Sequence, residues 1–275
     1  MNNQKIAFIG GGNMASSLIS GLIASGHNPQ HIWVSDINSD ALQVLADTLK
    51  VNTSANNDVV IAAADVVVLA VKPQILATVA KNAAALIQQK QPLVVSIAAG
   101  ISQGSLKKWL GAEIAIVRCM PNTPALVLTG ATALHANANV SPEQRDLAEN
   151  IMRAVGIALW VAEESELDAV TAVSGSGPAY FFLLMEAMEK TALEMGLNAE
   201  TARLLVQQTA LGAAKIALES TESPTQLRQR VTSPGGTTQR AIETFEQGGF
   251  ALLVGNALRA AQDRSIEMSL QSENN

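Results

Sequence analysis

The chain has 275 residues, of which 48% are apolar and 15% are charged, and its formal net charge is −6. A chain of this length can bury a sizeable core in two domains, and its composition is too apolar for a disordered protein. Like charges do not occur in long runs. The basic surface that nucleic-acid binding requires is therefore not expected.

The apolar stretches and the single cysteine narrow the possible classes of protein further. The most apolar stretch, residues 59–71, contains Asp65 and is too short to span a bilayer. Near the N-terminus, Gly10 ends an apolar patch before it reaches the length of a signal-peptide core. Cys119 is the only cysteine, so neither an intramolecular disulfide nor a cysteine metal cluster can form. We expect a soluble cytoplasmic protein that uses no membrane and no metal.

The first predicted element is a strand at Ile6–Ile9 that leads directly into three glycines and a helical pattern. Gly10 suits the tight turn after the strand, and Gly12 lets the backbone approach a pyrophosphate. Ala15 allows the first helix to pack closely on the strand. The N–H groups at the start of this helix would then face the phosphates. This order of elements predicts a dinucleotide-binding unit.

Short β-branched runs then alternate with helical patterns along the first half of the chain. Further strands are predicted at residues 32–35, 66–71, 93–97, 114–118 and 158–161. Helices are predicted at residues 15–25, 39–50, 74–88, 102–110 and 142–154, with Ser39 capping the second. Such alternation predicts a Rossmann-like, doubly wound parallel sheet, which we assign to residues 1–164.

Residues 165–275 are predicted to form an all-α domain. Its helices are expected at residues 178–196, 198–219 and 250–270, with two shorter helices beginning near Ser223 and Gly236. Several of them, such as residues 210–218, are rich in Ala and Leu on more than one face. Helices of that kind must be buried on all sides. We therefore expect this domain to pack against a second subunit.

Candidate ligand contacts lie where predicted strands end, because ligands of such sheets bind beyond the carboxyl ends of the strands. These segments are Ala70-Val71-Lys72-Pro73, Ala98-Ala99-Gly100 and residues 118–124. The small residues at 98–100 would allow a flat nicotinamide close to the backbone, although a tight turn alone also explains them. Lys72 could bind a phosphate or a ribose.

Asp36 follows Ser35 at the end of the second strand. An acid at this place can accept a hydrogen bond from a ribose 2′-OH and would repel a 2′-phosphate, which favours NADH. Capping of the following helix, or simple exposure to solvent, explains Asp36 equally well.

Two loops in the helical half join glycines to hydroxyl residues at the start of a helix. They are Ser174-Gly175-Ser176-Gly177-Pro178-Ala179-Tyr180 and Ser233-Pro234-Gly235-Gly236-Thr237-Thr238. Exposed N–H donors at such a start suit a carboxylate, and a threonine hydroxyl can both donate and accept. Helix capping by Thr237 or Thr238 would explain the second loop without a ligand.

Conventional acid–base residues are scarce. None of the three histidines, at positions 27, 31 and 135, has a recognisable partner in the sequence, and Cys119 is expected to be a small buried residue. Zinc-protease, CxxC and serine-hydrolase motifs do not occur.

Together these segments resemble the pyrroline-5-carboxylate reductases over almost the whole chain. The resemblance is carried by the Gly10-Gly11-Gly12-Asn13-Met14 turn, the two strand ends at 70–73 and 98–100, residues 120–124, and the loops at 174–180 and 233–238. Members of this family reduce 1-pyrroline-5-carboxylate to L-proline with NAD(P)H, the last step of proline biosynthesis. Their helical domains interlock into homodimers, which often assemble further into rings.

The resemblance also implies roles for individual residues. Those expected to line the cofactor, NADPH or NADH, are Ile9, Gly10, Gly11, Gly12, Asn13, Met14, Ser35, Asp36, Asn57, Ala70, Val71, Lys72, Pro73, Ala98, Ala99, Gly100 and Arg230. Those expected to meet the substrate are Glu164, Gly236, Thr237 and Thr238. Asp36 and Arg230 both depart from residues that relatives carry. Asp36 favours NADH and Arg230 favours a 2′-phosphate, so the cofactor preference stays open.

The implied substrate is a five-membered cyclic imine with a carboxylate. We expect N–H groups at positions 236–238 to bind the carboxylate and the Thr238 hydroxyl to act as the catalytic group at the ring nitrogen. Orientation of two flat rings would then do most of the work, which accounts for the missing histidine machinery.

Three alternatives compete with this prediction. A β-hydroxyacid dehydrogenase needs a lysine or histidine to handle the alcohol proton. Lys190 lies on the long helix, but Glu186 stands four residues upstream, where such enzymes carry a glycine-rich segment. A broader imine reductase would differ only in the shape of its pocket. A dinucleotide sensor could keep the fold without catalysis, although it would not need the loop at 233–238.

Overall fold

The computed structural model describes residues 4–273. Its strands are β1 (Ile6–Ile9), β2 (Ile32–Ser35), β3 (Asn52–Ser54), β4 (Val66–Leu69), β5 (Leu93–Ser96), β6 (Ile116–Met120), β7 (Gly130–Ala136) and β8 (Gly156–Trp160). The helices of the first half are α1 (Asn13–Ala24), α2 (Ser39–Leu49), α3 (Asn57–Ala63), α4 (Pro73–Lys90), α5 (Gln103–Leu110), α6 (Pro142–Arg153) and α7 (Glu166–Val170). Those that follow are α8 (Gly177–Glu194), α9 (Ala199–Glu219), α10 (Pro224–Arg230), α11 (Thr237–Gln247) and α12 (Phe250–Glu273).

The eight strands form one sheet in the order β3-β2-β1-β4-β5-β6-β7-β8. All neighbouring strands run parallel except β6 and β7, which are antiparallel. The chain leaves β1 toward β2 and β3 on one side and crosses to β4 and β5 on the other. This reversal beside β1 creates the crevice in which doubly wound sheets bind ligands. The predicted fold class is confirmed.

Helices cover both faces of the sheet, which is why the central strands are apolar along their whole length. Ile6 and Phe8 of β1 belong to the core beneath α1, α2 and α6. Ala7 and Ile9 belong to the core beneath α3, α4 and α5. The positions within β1 are fully buried or nearly so. Successive side chains therefore stabilise opposite layers, and β1 is held rigidly behind the glycine turn.

The structure contains four elements that the sequence analysis did not predict, namely the strands β3 and β7 and the helices α3 and α7. It also corrects the cap of α2. The capping residue is Asn38, whose side chain accepts hydrogen bonds from Asp40 N and Ala41 N, and Ser39 is already helical. An asparagine at this position is as good a cap as a serine, so the prediction was wrong by one residue.

The chain divides into two compact units. One contains the residues up to Ser176 together with those from Ala260 onward, and the other contains Gly177–Arg259. The last helix, α12, therefore contributes to both. The boundary predicted after residue 164 stays a prediction. Within residues 4–273, no helix is both long enough and apolar enough to cross a membrane.

The second unit leaves many large apolar side chains in contact with solvent. On α8, Phe181, Phe182 and Leu183 are each more than 60% exposed. Leu205 on α9 and Leu252 on α12 are exposed by more than half. Large apolar side chains exposed in such number are typical of a surface that another molecule covers. It agrees with the expectation that these helices pack against a second subunit.

His27 gives the first unit a stability that depends on pH. It is buried, and desolvation, together with the charge of nearby His31, lowers its pKa below the ordinary 6.5. The unfolded chain therefore binds more protons as the pH falls, and stability is lost as the pH drops through 6.5. We expect Tm to fall between about pH 7.5 and 5.5, by about 2–4 °C for each kcal/mol of this penalty. In the His27→Phe variant this fall should be smaller. Parallel curves of Tm against pH in the two proteins would contradict the assignment.

Candidate functional site

The turn after β1 can be formed only by glycine at its first position. Gly10 has φ of +103°, and its N–H donates to Ser35 O at 2.7 Å. A Cβ at Gly10 would lie 2.7 Å from Ala70 O, closer than real side chains approach a carbonyl. The positive φ and the close approach of two strand ends therefore both require glycine here.

The start of α1 has the features of an anion site. Gly12 is its N-cap residue, and among the described residues no side chain caps this helix. Gly12 is exposed, and no atom lies within 4 Å of the position where its Cβ would be. The first-turn N–H groups thus meet open space, which fits the pyrophosphate of a dinucleotide. Asn13 and Met14 form the first turn of this helix.

Asp36 links the end of β2 to the glycine turn. Its Oδ2 accepts a hydrogen bond from Gly11 N at 2.7 Å, and its Oδ1 accepts one from Asn38 N at 2.9 Å. Asp36 therefore does not cap α2 and is not merely a solvated surface residue. The carboxylate is half-buried beside the phosphate turn, where a ribose of a bound dinucleotide would lie.

Ser35 and Asn57, both predicted to line the cofactor, are in direct contact. The Ser35 hydroxyl donates to Asn57 Oδ1 at 2.7 Å. Ser35 is buried at the end of β2, and Asn57 is the first residue of α3. The hydrogen bond therefore ties α3 to the same end of the sheet as the glycine turn.

The next two strand ends lie beside β1 because β1, β4 and β5 are neighbours in the sheet. Ala70 N donates to Ile9 O at 2.9 Å, and Ile97 N donates to Leu69 O at 3.2 Å. The segments 70–73 and 98–100 are thus brought to the same edge as the glycine turn. Lys72, at the N-cap of α4, is exposed and available to a ligand. The structure groups these predicted residues at one edge, as the fold requires.

The turn at 98–100 packs closely against α12. Gly100 has φ of +69°, and a Cβ there would lie 2.7 Å from the Cβ of Met268 in α12. Ser102 caps α5 by accepting from Ser105 N, and its hydroxyl donates to Glu273 Oε1 at 3.0 Å. The C-terminal part of α12 therefore supports this turn.

Glu164, predicted to meet the substrate, is bound to two groups of the first unit. Its Oε1 accepts from Arg118 Nη1 at 2.9 Å and from Gln103 N at 2.6 Å. In the sequence, Arg118 is recognisable only as part of a strand end, and the family resemblance implies no role for it. Its partner stands 46 residues away along the chain, so no local pattern could have identified the pair.

In the second unit, the loop at 233–238 leads into α11 without a side-chain cap. Gly236 is the N-cap residue, and no described residue hydrogen-bonds the hydroxyl of Thr237 or Thr238. Helix capping by these threonines, the alternative left open by the sequence, is therefore wrong. Gly236 N donates to Ser233 O at 3.0 Å, so it already has an acceptor within the loop. Gly235 N donates to the Gln239 side chain at 2.6 Å, which holds the loop in place.

Arg230 and Cys119 are both held in contacts within the protein. Arg230, at the end of α10, forms an ion pair with Glu222 within the second unit. Cys119 is buried in β6, and desolvation raises the pKa of its thiol. A buried thiol of this kind is a poor nucleophile, and the prediction that Cys119 is a small buried residue is confirmed.

Comparisons with known proteins agree with this arrangement. Residues 164–268 match the family model for pyrroline-5-carboxylate reductase dimerisation, and residues 5–100 match the model described as NADP oxidoreductase coenzyme F420-dependent. A pyrroline-5-carboxylate reductase of Pseudomonas aeruginosa is 51% identical over 271 residues, which cover 98% of this chain and 99% of that protein. The chain belongs to the pyrroline-5-carboxylate reductase family.

Solved structures of other pyrroline-5-carboxylate reductases extend the similarity to three dimensions. The enzyme of Coxiella burnetii is 47% identical and superimposes with a TM-score of 0.93, covering 98% of this chain and 99% of that one. The reductase of Plasmodium falciparum, solved with NADP bound, is 31% identical with a TM-score of 0.88, covering 98% and 99% of the two chains. The similarity to this reductase family therefore spans both units.

The predicted site residues of this reductase occur in both compact units. The cofactor residues of the first unit, from the glycine turn to the segment at 98–100, lie at one edge of the sheet, and Glu164 belongs to the same unit. Arg230 and the loop at 233–238 belong to the second unit. The roles of the individual residues remain predictions, and the contacts described above decide which of them are chemically free to act.

Proposed function

We propose that this protein reduces 1-pyrroline-5-carboxylate to L-proline with NAD(P)H, the last step of proline biosynthesis. The observation that carries the proposal is the combination of an uncapped α1 behind Gly12 with a full-length similarity to enzymes of this name. A dinucleotide sensor would need the first feature only. The loop at 233–238, with two unpaired threonine hydroxyls, supports a substrate site as well.

The first unit provides the groups that bind the cofactor. The N–H groups of Asn13 and Met14 at the start of α1 bind the pyrophosphate, and Asp36 stands beside the ribose. The small side chains of Ala98 and Ala99 let the flat ring lie against the backbone. When bound, the reduced nicotinamide supplies a hydride to the imine carbon.

The second unit provides the groups for the carboxylate and the ring nitrogen of the substrate, and Glu164 of the first unit is the remaining residue expected to meet it. The N–H groups of Thr237 and Thr238 are the donors for the carboxylate, because Gly236 N already has an acceptor. Thr238 is half-buried, and its hydroxyl donates a hydrogen bond, and then its proton, to the ring nitrogen as the hydride reaches the imine carbon, after which solvent returns a proton to the threonine oxygen. No histidine or lysine is required, since an imine nitrogen is itself basic.

The activity is tested by following the oxidation of NADH and of NADPH at 340 nm with racemic pyrroline-5-carboxylate. Rapid oxidation that produces L-proline is the expected result. Binding of either cofactor without oxidation would favour the dinucleotide sensor. Turnover with other cyclic imines but not with this one would favour a broader imine reductase.

We also propose that Asp36 makes NADH the preferred cofactor. Its carboxylate is held against the glycine turn by Gly11 N, so it cannot readily turn away from a 2′-phosphate. The charge of Arg230, in contrast, is already paired with Glu222.

The Asp36→Ser variant should therefore raise the ratio of NADPH to NADH affinity by about 10-fold or more, corresponding to about 1.4 kcal/mol. Fluorescence titration with each cofactor measures this ratio. The Arg230→Asn variant is the comparison and should leave the ratio within about 2-fold. If Arg230→Asn lowers NADPH affinity and Asp36→Ser changes nothing, Arg230 determines the preference instead.

The assembly that we propose is a homodimer formed through the helical domain, able to assemble further into a ring, in the cytoplasm. The exposed apolar side chains of α8, α9 and α12 support the dimer, and so does the match to a dimerisation model. Sedimentation equilibrium distinguishes a dimer from a ring by mass.

A further inference from the structure

Arg118 is a buried cation that the proposed reaction does not yet use. It lies on β6, in register with Ser96 at the end of β5 and with His135 on β7. Only 5% of its side chain is exposed. Burying a guanidinium costs desolvation free energy unless the charge is paired. Such a residue is therefore seldom placed in a sheet for packing alone.

The charge of Arg118 is balanced by Glu164, whose side chain is 27% exposed. Their hydrogen bond, from Arg118 Nη1 to Glu164 Oε1, measures 2.9 Å. The same oxygen accepts from Gln103 N, the first N–H of α5, at 2.6 Å. A carboxylate at this position also interacts favourably with the positive end of the helix. Glu164 therefore joins β6 to the start of α5.

The segment that this pair holds is the turn proposed to lie against the nicotinamide. Residues 97–102 connect β5 to α5, with Ser96 at one end and Gln103 at the other. Arg118 stands beside Ser96 in register and contacts Gln103 through Glu164. The Gln103 side chain also donates to His135 O at 3.0 Å, which ties the same residue to β7. The far end of the turn thus depends on the Arg118–Glu164 pair.

We propose that Arg118 is a positioning residue for the reduction. By holding Oε1 of Glu164, it fixes the carboxylate and, through Gln103 N, the turn that includes Ala98 and Ala99. Neither of the two hydrogen bonds uses Oε2 of Glu164, which leaves that oxygen for the substrate. This inference rests on the proposed function, and it adds a residue to which the family resemblance gave no role. A displacement of about 1 Å at a reacting ring costs on the order of 100-fold in rate.

The test compares Arg118→Met, Arg118→Lys, Glu164→Gln and the double variant Arg118→Met/Glu164→Gln with the wild-type protein. Arg264→Met is the matched control, because Arg264 forms an ion pair with Glu267 in which both side chains are more than half exposed. For each protein we would measure kcat and KM with pyrroline-5-carboxylate, the Kd of NADH, the emission of bound NADH and Tm. The emission reports on the surroundings of the nicotinamide ring independently of turnover.

Arg118→Met should lower kcat by about 10-fold to 100-fold and change the emission of bound NADH, while the Kd of NADH stays within about 3-fold. Arg118→Lys, which keeps the charge, should recover part of the loss. The double variant removes both charges and avoids an unpaired buried ion, so it should fold. Its kcat should be within about 3-fold of that of Glu164→Gln alone, because Arg118 acts through Glu164.

Other outcomes would overturn the inference. A lower Tm in Arg118→Met with wild-type kcat and emission would show a purely structural ion pair. Losses that multiply in the double variant would show that Arg118 acts independently of Glu164. Absence of turnover in the wild-type protein would overturn the proposed function, and this inference with it. Turnover in the wild type that Arg118→Met leaves undiminished would overturn this inference alone.

Discussion

Replacing Thr238 with alanine should lower kcat by about 10-fold to 1,000-fold, the range expected for losing one positioned hydrogen bond or proton donor. The Thr238 hydroxyl has no hydrogen-bond partner among the described residues, and Gly236 rather than a threonine is the N-cap of α11. Removing the hydroxyl therefore leaves no buried group of the protein unsatisfied. The loss should appear in turnover and not in stability.

Steady-state kinetics with pyrroline-5-carboxylate and thermal unfolding measure the two effects. Thr238→Ser keeps a hydroxyl at the same position and should restore most of the activity. Thr237→Ala is the matched control, since Thr237 is the exposed neighbour on the same turn and is proposed to contribute only its backbone N–H. Wild-type kinetics in Thr238→Ala would refute the catalytic assignment. A similar loss in Thr237→Ala would mean that the whole loop is disturbed.

The sequence predicts best what is determined by neighbouring residues. β1, the glycine turn and α1 follow each other within twenty residues, and each has a local physical signal. β3 and α3 gave weaker signals, because β3 is three residues long and α3 is seven. β7 was missed since its residues, GATALHA, contain few β-branched side chains. Its antiparallel pairing with β6 is a property of the whole sheet.

In the candidate site, too, contacts between residues far apart in the chain could not be predicted from the sequence. Asp36 was a sensible choice from its place after β2, but its hydrogen bond to Gly11 N, 25 residues away, is visible only in the folded chain. The pairing of Arg230 with Glu222 decides how much weight its charge has, and spacing does not predict it. Arg118 was overlooked for a related reason. A charged residue in a strand is recognised as functional only when the partner that neutralises it is known.

Gly12→Val should abolish cofactor binding while leaving the protein folded, and this prediction tests the phosphate site directly. Gly12 has φ of −70°, a value that valine adopts, and no protein atom lies within 4 Å of the new Cβ. The valine side chain would instead fill open space at the uncapped start of α1. We expect the Kd of NADH to rise by about 100-fold or more, corresponding to about 2.7 kcal/mol, with Tm of the cofactor-free protein changed by only a few degrees.

Gly10→Val is the comparison variant for Gly12→Val, because it should damage the fold as well as the binding site. At Gly10 the positive φ and the carbonyl of Ala70 both oppose a side chain, so this variant should lose stability as well as binding. Gly12→Ala, with a single added carbon, should bind NADH with intermediate affinity. Fluorescence titration and thermal unfolding of the three variants separate a filled binding site from a damaged fold. If Gly12→Val binds NADH normally, the pyrophosphate does not lie at the start of α1. The glycine turn would then serve only the packing of β1 against β4.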